Sequence, residues 1–222
     1  MAEETKYAEL LKKLRQYKRL AIAFSGGVDS TLLLYAAFEA LKAGNVVAFF
    51  ARSPLISSPA VAQSNKIFAR NFPQGVELRN IAISPLEWQE FIVNDKNRCY
   101  FCKKRMYTIL QEAMVVAGCH KLADGTNCDD MLEGRPGLKA IRESDVLTPL
   151  ADVGLEKVEI RRLAQRFGLS NFDSPSNSCL ATRVSQDQPI TVKILGVIDQ
   201  AENFLHAKGF AGCRVRVGHS YT

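Results

Sequence analysis

An α/β fold built on an open parallel sheet is what this sequence predicts, and three observations carry the prediction. Short runs rich in Val, Ile, Ala and Phe alternate with segments of helical period. The runs are continuously apolar, as strands covered on both faces are. Segments of ten or more residues separate them, enough for the crossover helices that parallel strands require.

In chain order, the first twenty residues, MAEETKYAELLKKLRQYKRL, read as an amphipathic, charged helix. They hold no apolar run and no small-residue cleavage site, so no secretory leader is expected and a cytoplasmic location is. Leu20 to Phe24 is the first strand, followed by a helix to Ala43, with Gly44 where a helix C′ glycine belongs. Val46 to Ala51 is the second strand. Ser58 and Pro59 supply an N-cap and a helix-opening proline for a helix to Phe72, and Val76 to Ile83 is the third strand. Beyond Ile83 the pattern loosens into a short helix within Pro85 to Val93, a longer one over Tyr100 to Ala117, and a strand near Lys121 to Asp124. Asp129 to Thr148 reads as loop-rich. Glu156 to Phe167 is an amphipathic helix with apolar Val158, Ile160, Leu163 and Phe167, stopped at Gly168. Ser170 to Pro189 is the longest irregular segment, and loops of this length in compact domains are functional or disordered. Cys179 lies in its middle. A helix from Ile190 to Lys208 and a short strand over Cys213 to Val217 close the chain. The expected division is residues 1–175 as a nucleotide-binding body and 176–222 as a small C-terminal α+β segment.

Composition narrows the class. Of the 222 residues 47% are hydrophobic and 23% charged, and no run approaches the roughly 18 apolar residues of a membrane span. The net charge of +6 includes short clusters such as Lys12-Lys13, Lys103-Lys104-Arg105 and Arg161-Arg162. These read as solvated faces, and the same balance suits an anionic nucleotide or RNA. Six cysteines are too few for a disulfide scaffold in a reducing compartment, which leaves metal binding or thiol chemistry as the question.

Chemistry concentrates in a few motifs. Ser25-Gly26-Gly27-Val28-Asp29-Ser30 lies between the first strand and the first following helix, where open α/β sheets bind ligands. Glycines admit a phosphate close to the backbone, and the helix N-terminus points N–H groups at it. A Walker-type loop would carry a lysine for γ-phosphoryl transfer, and none is present. The loop therefore suits a departing pyrophosphate, with attack at the α-phosphate of ATP and an adenylated product. Asp29 is placed to help hold Mg2+, and Ser25 and Ser30 to donate to phosphate oxygens; the plainer reading is an ordinary glycine turn. A second stretch, Asp124-Gly125-Thr126-Asn127-Cys128-Asp129-Asp130 followed by Arg135-Pro136-Gly137, offers carboxylates for Mg2+ and for nucleotide orientation, unless these are only turn formers. Cys99 and Cys102 form a C-x-x-C at a helix start, so both thiols face one site. Arg214 and Arg216 emerge on one face of the expected last strand, suited to a phosphate or simply exposed at an edge.

The SGGVDS segment resembles the PP-loop of ATP pyrophosphatases. With SPLI (Ser53 to Ile56), NRCYFCK (Asn97 to Lys103), the DGTNCDD stretch, TPL (Thr148 to Leu150) and SCLATR (Ser178 to Arg183) in the same order, the chain from about Leu20 to Val217 is similar to the LarE-type sulfurtransferase family. The resemblance implies a Rossmann-like open parallel sheet of the adenine nucleotide alpha-hydrolase type. It implies an enzyme that adenylates a carboxylate of pyridinium-3,5-biscarboxylic acid mononucleotide and inserts sulfur, giving a thiocarboxylate for the nickel-pincer cofactor of lactate racemase. Catalytic roles fall to Cys179, Asp29 and Arg183. Nucleotide and substrate binding falls to Ser25, Gly26, Gly27, Asp29, Ser30, Ser53, Asp124, Gly125, Thr126, Asp129, Arg214 and Arg216, and metal binding to Cys99, Cys102, Cys179 and Glu202. Three cysteines match a family branch in which a 4Fe-4S cluster presents free sulfide, in place of a branch that sacrifices the sulfur of one cysteine. Structural Zn2+ completed by Cys119, Cys128, Cys213, His120, His206 or His219 is an alternative, as is a Cys99–Cys102 redox disulfide. A small-molecule nucleotide substrate, a homo-oligomer such as a hexamer and other nickel-pincer biosynthesis proteins are the implied partners, with neither membrane nor nucleic acid. Related chains continue further, so a fragment or a shortened variant is expected. Rival readings are a tRNA-thiolating PP-loop enzyme and a non-enzymatic ATP-binding redox or metal sensor.

Overall fold

A computed structural model describes residues 2–72, 75–132, 136–175, 178–210 and 212–218. Helix α1 (Ala2–Leu14) precedes strand β1 (Leu20–Ala23), helix α2 (Val28–Leu41), strand β2 (Val46–Arg52), helix α3 (Ser58–Asn71) and strand β3 (Glu77–Ala82). A 3-10 turn at Pro85–Glu87 and the short α4 (Gln89–Ile92) lead to the long α5 (Arg98–Val116) and to β4 (Leu122–Asp124). Then come α6 (Cys128–Leu132), α7 (Pro136–Glu143), α8 (Pro149–Asp152), α9 (Lys157–Arg166), a 3-10 turn at Leu180–Arg183 and α10 (Val192–Ala207).

The four strands are parallel in the order β3-β2-β1-β4, with Leu20 beside Val46 and Ala21 beside Leu122. The α/β expectation is met. Because β2 lies on one side of β1 and β4 on the other, the strand order reverses at β1 and opens a crevice at its C-terminal end. Alternation along the strands feeds both layers. Leu20, Ile22, Ala48 and Phe50 pack with α1, α2 and α9, while Ala21, Val47 and Phe49 pack with α5 and α7. A third cluster joins Leu55, Ile83, Trp88 and Phe91 to Leu180, Val184, Ile190, Leu195 and Ile198, which seats the C-terminal residues on the end of the sheet.

Local expectations fail in four places. Asp129 to Thr148 was expected to be loop-rich, yet its described residues include most of α6 and all of α7, whose Leu138 and Ile141 are buried against α5. Eight residues opening on Pro-Gly are too few for a periodic signal. The N-cap of α3 is Ser57, one residue before the expected Ser58; its side chain accepts from Ala60 N at 3.4 Å. Lys42, with φ 68°, caps α2, and Gly44 turns the chain only afterwards. Over Cys213 to Val217 the expected strand reduces to one parallel bridge between Val184 and Val217. No described helix is long and apolar enough to cross a membrane.

Candidate functional site

Between β1 and α2, Ser25 to Ser30 are fixed by their own side chains. Ser30 Oγ donates to Gly27 O at 3.0 Å, accepts from Ser25 N at 3.2 Å and lies 3.0 Å from Ser25 Oγ. Gly26 has φ +79°, and a Cβ there would stand 2.3 Å from Ser64 Oγ, which itself donates to Ser25 O at 3.0 Å. Asn171, fully buried, donates to Gly26 O at 2.9 Å and Thr31 Oγ1 at 3.0 Å. Gly27 caps α2 without a side-chain bond, so the first-turn N–H groups face outward as an anion cradle. Gly125, after β4, approaches this turn so closely that a Cβ would meet Ser30 N at 2.7 Å.

The carboxylates around the cradle are engaged. Asp124 is buried, accepting from Thr126 N at 3.0 Å and from the Tyr107 hydroxyl, with Lys103 Nζ 3.8 Å away. Burial, reinforced by that carboxylate, pushes the Tyr107 hydroxyl well up, so it stays a donor at neutral pH. Asp29 pairs with Lys157 and accepts from Asn127 Nδ2 at 3.2 Å. Asp129, expected at the nucleotide, instead accepts from Lys157 N at 2.8 Å and so holds the start of α9. Asp130 and Asn127 cap each other's backbone N–H groups at 3.0 and 3.2 Å.

Of the three cysteines expected to act together, Cys99 is exposed and Cys102 and Cys179 are half-buried. All six cysteines are free thiols. Burial, and then the neighbouring Cys179 and Cys99, push the Cys102 thiol up to about 12. Burial likewise raises Cys179, against the pull of Arg98. Arg98 Nη2 lies 3.7 Å from Cys99 Sγ, and its other arm bonds Asn94 and, at 3.0 Å, Ala181 O. Ser25, Asp29 and Ser30 of the turn, Ser53, Asp124, Gly125, Thr126, Lys103 and all three cysteines line one cleft of about 670 Å³, a volume suited to a nucleotide-sized ligand, while Gly26 and Gly27 are not in its lining.

Arg183 and Glu202, expected as a catalytic and a metal-binding residue, do not reach the cleft lining. Both are buried, paired at 2.9 Å and again at 3.2 Å. Arg183 also donates to Ser178 O at 2.7 Å and Cys179 O at 3.0 Å, and Glu202 accepts from Val215 N at 3.0 Å. The pair is thus a clamp that positions the Cys179 loop, with its charges already matched. Arg214 and Arg216 flank Val215, are exposed, and likewise lie outside the cleft lining. Among the described residues no three His, Cys, Asp or Glu side chains gather closely enough to hold a metal ion. Arg135 and His219 lie outside the described residues.

No family model matches the chain. It is 36% identical over 93% of its length to an uncharacterized protein of Synechocystis, covering 77% of that protein, and 31% identical over 93% of its length to one of Methanocaldococcus jannaschii, again covering 77%. It is also 30% identical, over 96% of its length and 76% of the relative's, to the pyridinium-3,5-bisthiocarboxylic acid mononucleotide synthase of Lactiplantibacillus plantarum. The chain belongs to the LarE-type sulfurtransferase family.

In this LarE-type chain several residues of the site escape a linear reading. Lys157 reaches Asp29 across 128 positions, and Asn171 reaches Gly26 across 145. Lys103 stands within the quoted NRCYFCK stretch, yet only folding shows it beside Asp124. Tyr107 falls one helical turn beyond Lys103 on α5, and that spacing is the one sequence signal that could have found it.

Proposed function

We propose that this enzyme uses ATP to adenylate a carboxylate of pyridinium-3,5-biscarboxylic acid mononucleotide and then replaces a carboxylate oxygen by sulfur, giving a thiocarboxylate for the nickel-pincer cofactor of lactate racemase. One observation carries the proposal: the phosphate cradle and three cysteines share the walls of a single cleft. In the first step a substrate carboxylate oxygen bonds the α-phosphorus of ATP as the bond to pyrophosphate breaks. The first-turn N–H groups of α2 and the Ser25 and Ser30 hydroxyls receive the departing pyrophosphate. Lys103, beside Asp124, supplies positive charge inside the cleft where the loop has none. In the second step a sulfur nucleophile bonds the activated carbon, and AMP leaves with the former carboxylate oxygen.

Asp29 and Asp124 would hold Mg2+, which would neutralise phosphate charge there; Asp29 must first part from Lys157. Cys99, Cys102 and Cys179, which all line this cleft, would hold a 4Fe-4S cluster, and such a cluster would supply a site for sulfide. Burial raises the Cys102 and Cys179 thiols, so ligation, which requires thiolates, would have to draw both of them down. Residues 1–175 form the activating part and 176–222 the sulfur-transfer part, with Arg214 and Arg216 receiving the substrate phosphate. The protein works in the cytoplasm as a homo-oligomer, a hexamer by family resemblance, beside other nickel-pincer biosynthesis proteins. Anaerobic incubation with ATP, Mg2+, sulfide and the dicarboxylate nucleotide tests this by mass analysis of product and protein. Sulfur-for-oxygen exchange with Cys179 intact is expected. Loss of hydrogen sulfide from Cys179 would replace the sulfide route by sacrifice, and absence of pyrophosphate release would overturn the whole reading.

A further inference from the structure

Beside Arg98 and Cys99 lies a second, smaller pocket of about 230 Å³, bounded also by Asn94, Lys96, Thr182 and Gln186 among others. We propose that this pocket is the access port for hydrosulfide, admitting a small sulfur anion to Cys99 by a way other than the mouth of the nucleotide cleft; this rests on the sulfurtransferase reading above. Arg98 and Cys99 line both the pocket and the cleft, whereas Cys102 and Cys179 line the cleft alone of the two. Once an adenylated substrate fills the cleft, sulfur arriving by the same mouth has to pass it. The pocket offers a way round.

Size and charge select the guest. At roughly 230 Å³ the pocket falls below the range of about 300–1,000 Å³ that organic ligands take, and a hydrated small anion fits. Lys96 and Arg98 outweigh Asp95, whose carboxylate already accepts from Asn97 N at 2.7 Å. The frame is firm: Asn94 is buried, with φ 60°, and donates to Ser185 O at 2.7 Å and Gln188 O at 2.8 Å, while its own oxygen holds Arg98. Arg98 then presents Nη2 to Cys99 Sγ at 3.7 Å. Passage through the port is binding only, and no bond forms or breaks there.

Alkylation of the cluster-free full chain by iodoacetate and iodoacetamide, read by mass at each cysteine, tests the port without requiring turnover. Gln186 is exposed and bonds only to Asp187 among the described residues, so Gln186→Trp narrows the pocket without touching the clamp under Cys179. It should slow labelling of Cys99 several-fold and leave Cys102 unchanged. Lys96→Glu should lower the iodoacetate-to-iodoacetamide rate ratio at Cys99 by about fivefold, the size expected for one nearby exposed charge reversed. During turnover, Gln186→Trp should raise the KM for sulfide and leave that for ATP unaltered. Equal slowing at both cysteines, or no slowing at Cys99, overturns the port. Absent turnover together with the selective Cys99 effect overturns the sulfurtransferase reading and leaves the anion port standing.

Discussion

On the phosphate wall, the turn between β1 and α2 is locked by bonds among its own serines and glycines, with outside support from Ser64 and Asn171. On the cysteine wall, Cys179 sits on a loop that is held from beneath by Arg183, and Arg183 is held by Glu202 on α10. The first wall is stiff because backbone and short polar side chains leave it one conformation. The second depends on a buried ion pair from the C-terminal residues. A short motif can therefore build a phosphate site, whereas a thiol site of this kind needs the rest of the fold.

The largest effect is expected where that dependence is greatest. Glu202→Ala leaves the Arg183 charge buried without its carboxylate, a class of change that costs about 3–5 kcal/mol. Melting temperature should fall steeply, and alkylation of Cys179 should accelerate as its loop loosens, with ATP affinity little changed in the fraction that folds. Unaltered Cys179 reactivity would break the comparison, because the clamp would then not govern the thiol.

Gly26→Ala attacks the other wall. An alanine there must adopt φ near +79° and meets Ser64 Oγ at 2.3 Å and Ser64 Cα at 2.9 Å. Strain and overpacking together are expected to cost about 2–3 kcal/mol. ATP binding, followed by calorimetry, should weaken by more than tenfold while the iron content after reconstitution stays normal. Loss of iron in this variant would show that the two walls are not separable.

Sequence reading reached these walls unequally. The SGGVDS cradle was legible because its chemistry is written in six consecutive residues after an apolar run. The C-x-x-C was legible because i and i+3 share a helix face, and Cys99 and Cys102 indeed stand at the start of α5. The pairing of Arg183 was not legible, since its burial and its carboxylate partner, 19 residues on, appear only in the fold. The bond from Asp129 to the start of α9 likewise required the fold. Lys157 gave no local sign at all, and α7 gave too short a pattern to separate from loop.

Lys157→Gln sharpens the comparison by testing whether the phosphate wall is poised for a cation. The ammonium occupies the Asp29 carboxylate, so its removal should lower the Mg2+ concentration needed for half-maximal ATP binding by about three- to fivefold, while stability falls by no more than about 1 kcal/mol for a partly exposed pair. An unchanged Mg2+ requirement would remove Asp29 from the set of metal ligands.

Acid should separate the two walls most gently. Helix α9, which carries Lys157 to Asp29, is tied to α1 through Glu159, whose carboxylate accepts from Lys6 Nζ at 2.7 Å and Glu156 N at 2.9 Å. Burial alone would raise this carboxyl, but the Glu156 N–H and the Lys6 ammonium outweigh it and hold it below the usual carboxylate range. A carboxyl lowered by folding stabilises above its unfolded value, about 4.3, and that contribution disappears as pH falls through the folded value. At pH 7, Lys6→Met should therefore lower stability by about 0.5–1 kcal/mol, the discounted value for a pair with one partly exposed partner. The difference from the parent chain should shrink steadily below pH 4, measured by urea unfolding across the range. The Mg2+ concentration needed for ATP binding should fall with it, as α9 loosens Lys157 from Asp29, while Cys179 reactivity holds. A Lys6→Met penalty that persists at pH 3 would mean that the seam is apolar packing of the lysine stem, and that α9 does not transmit charge state to the phosphate wall.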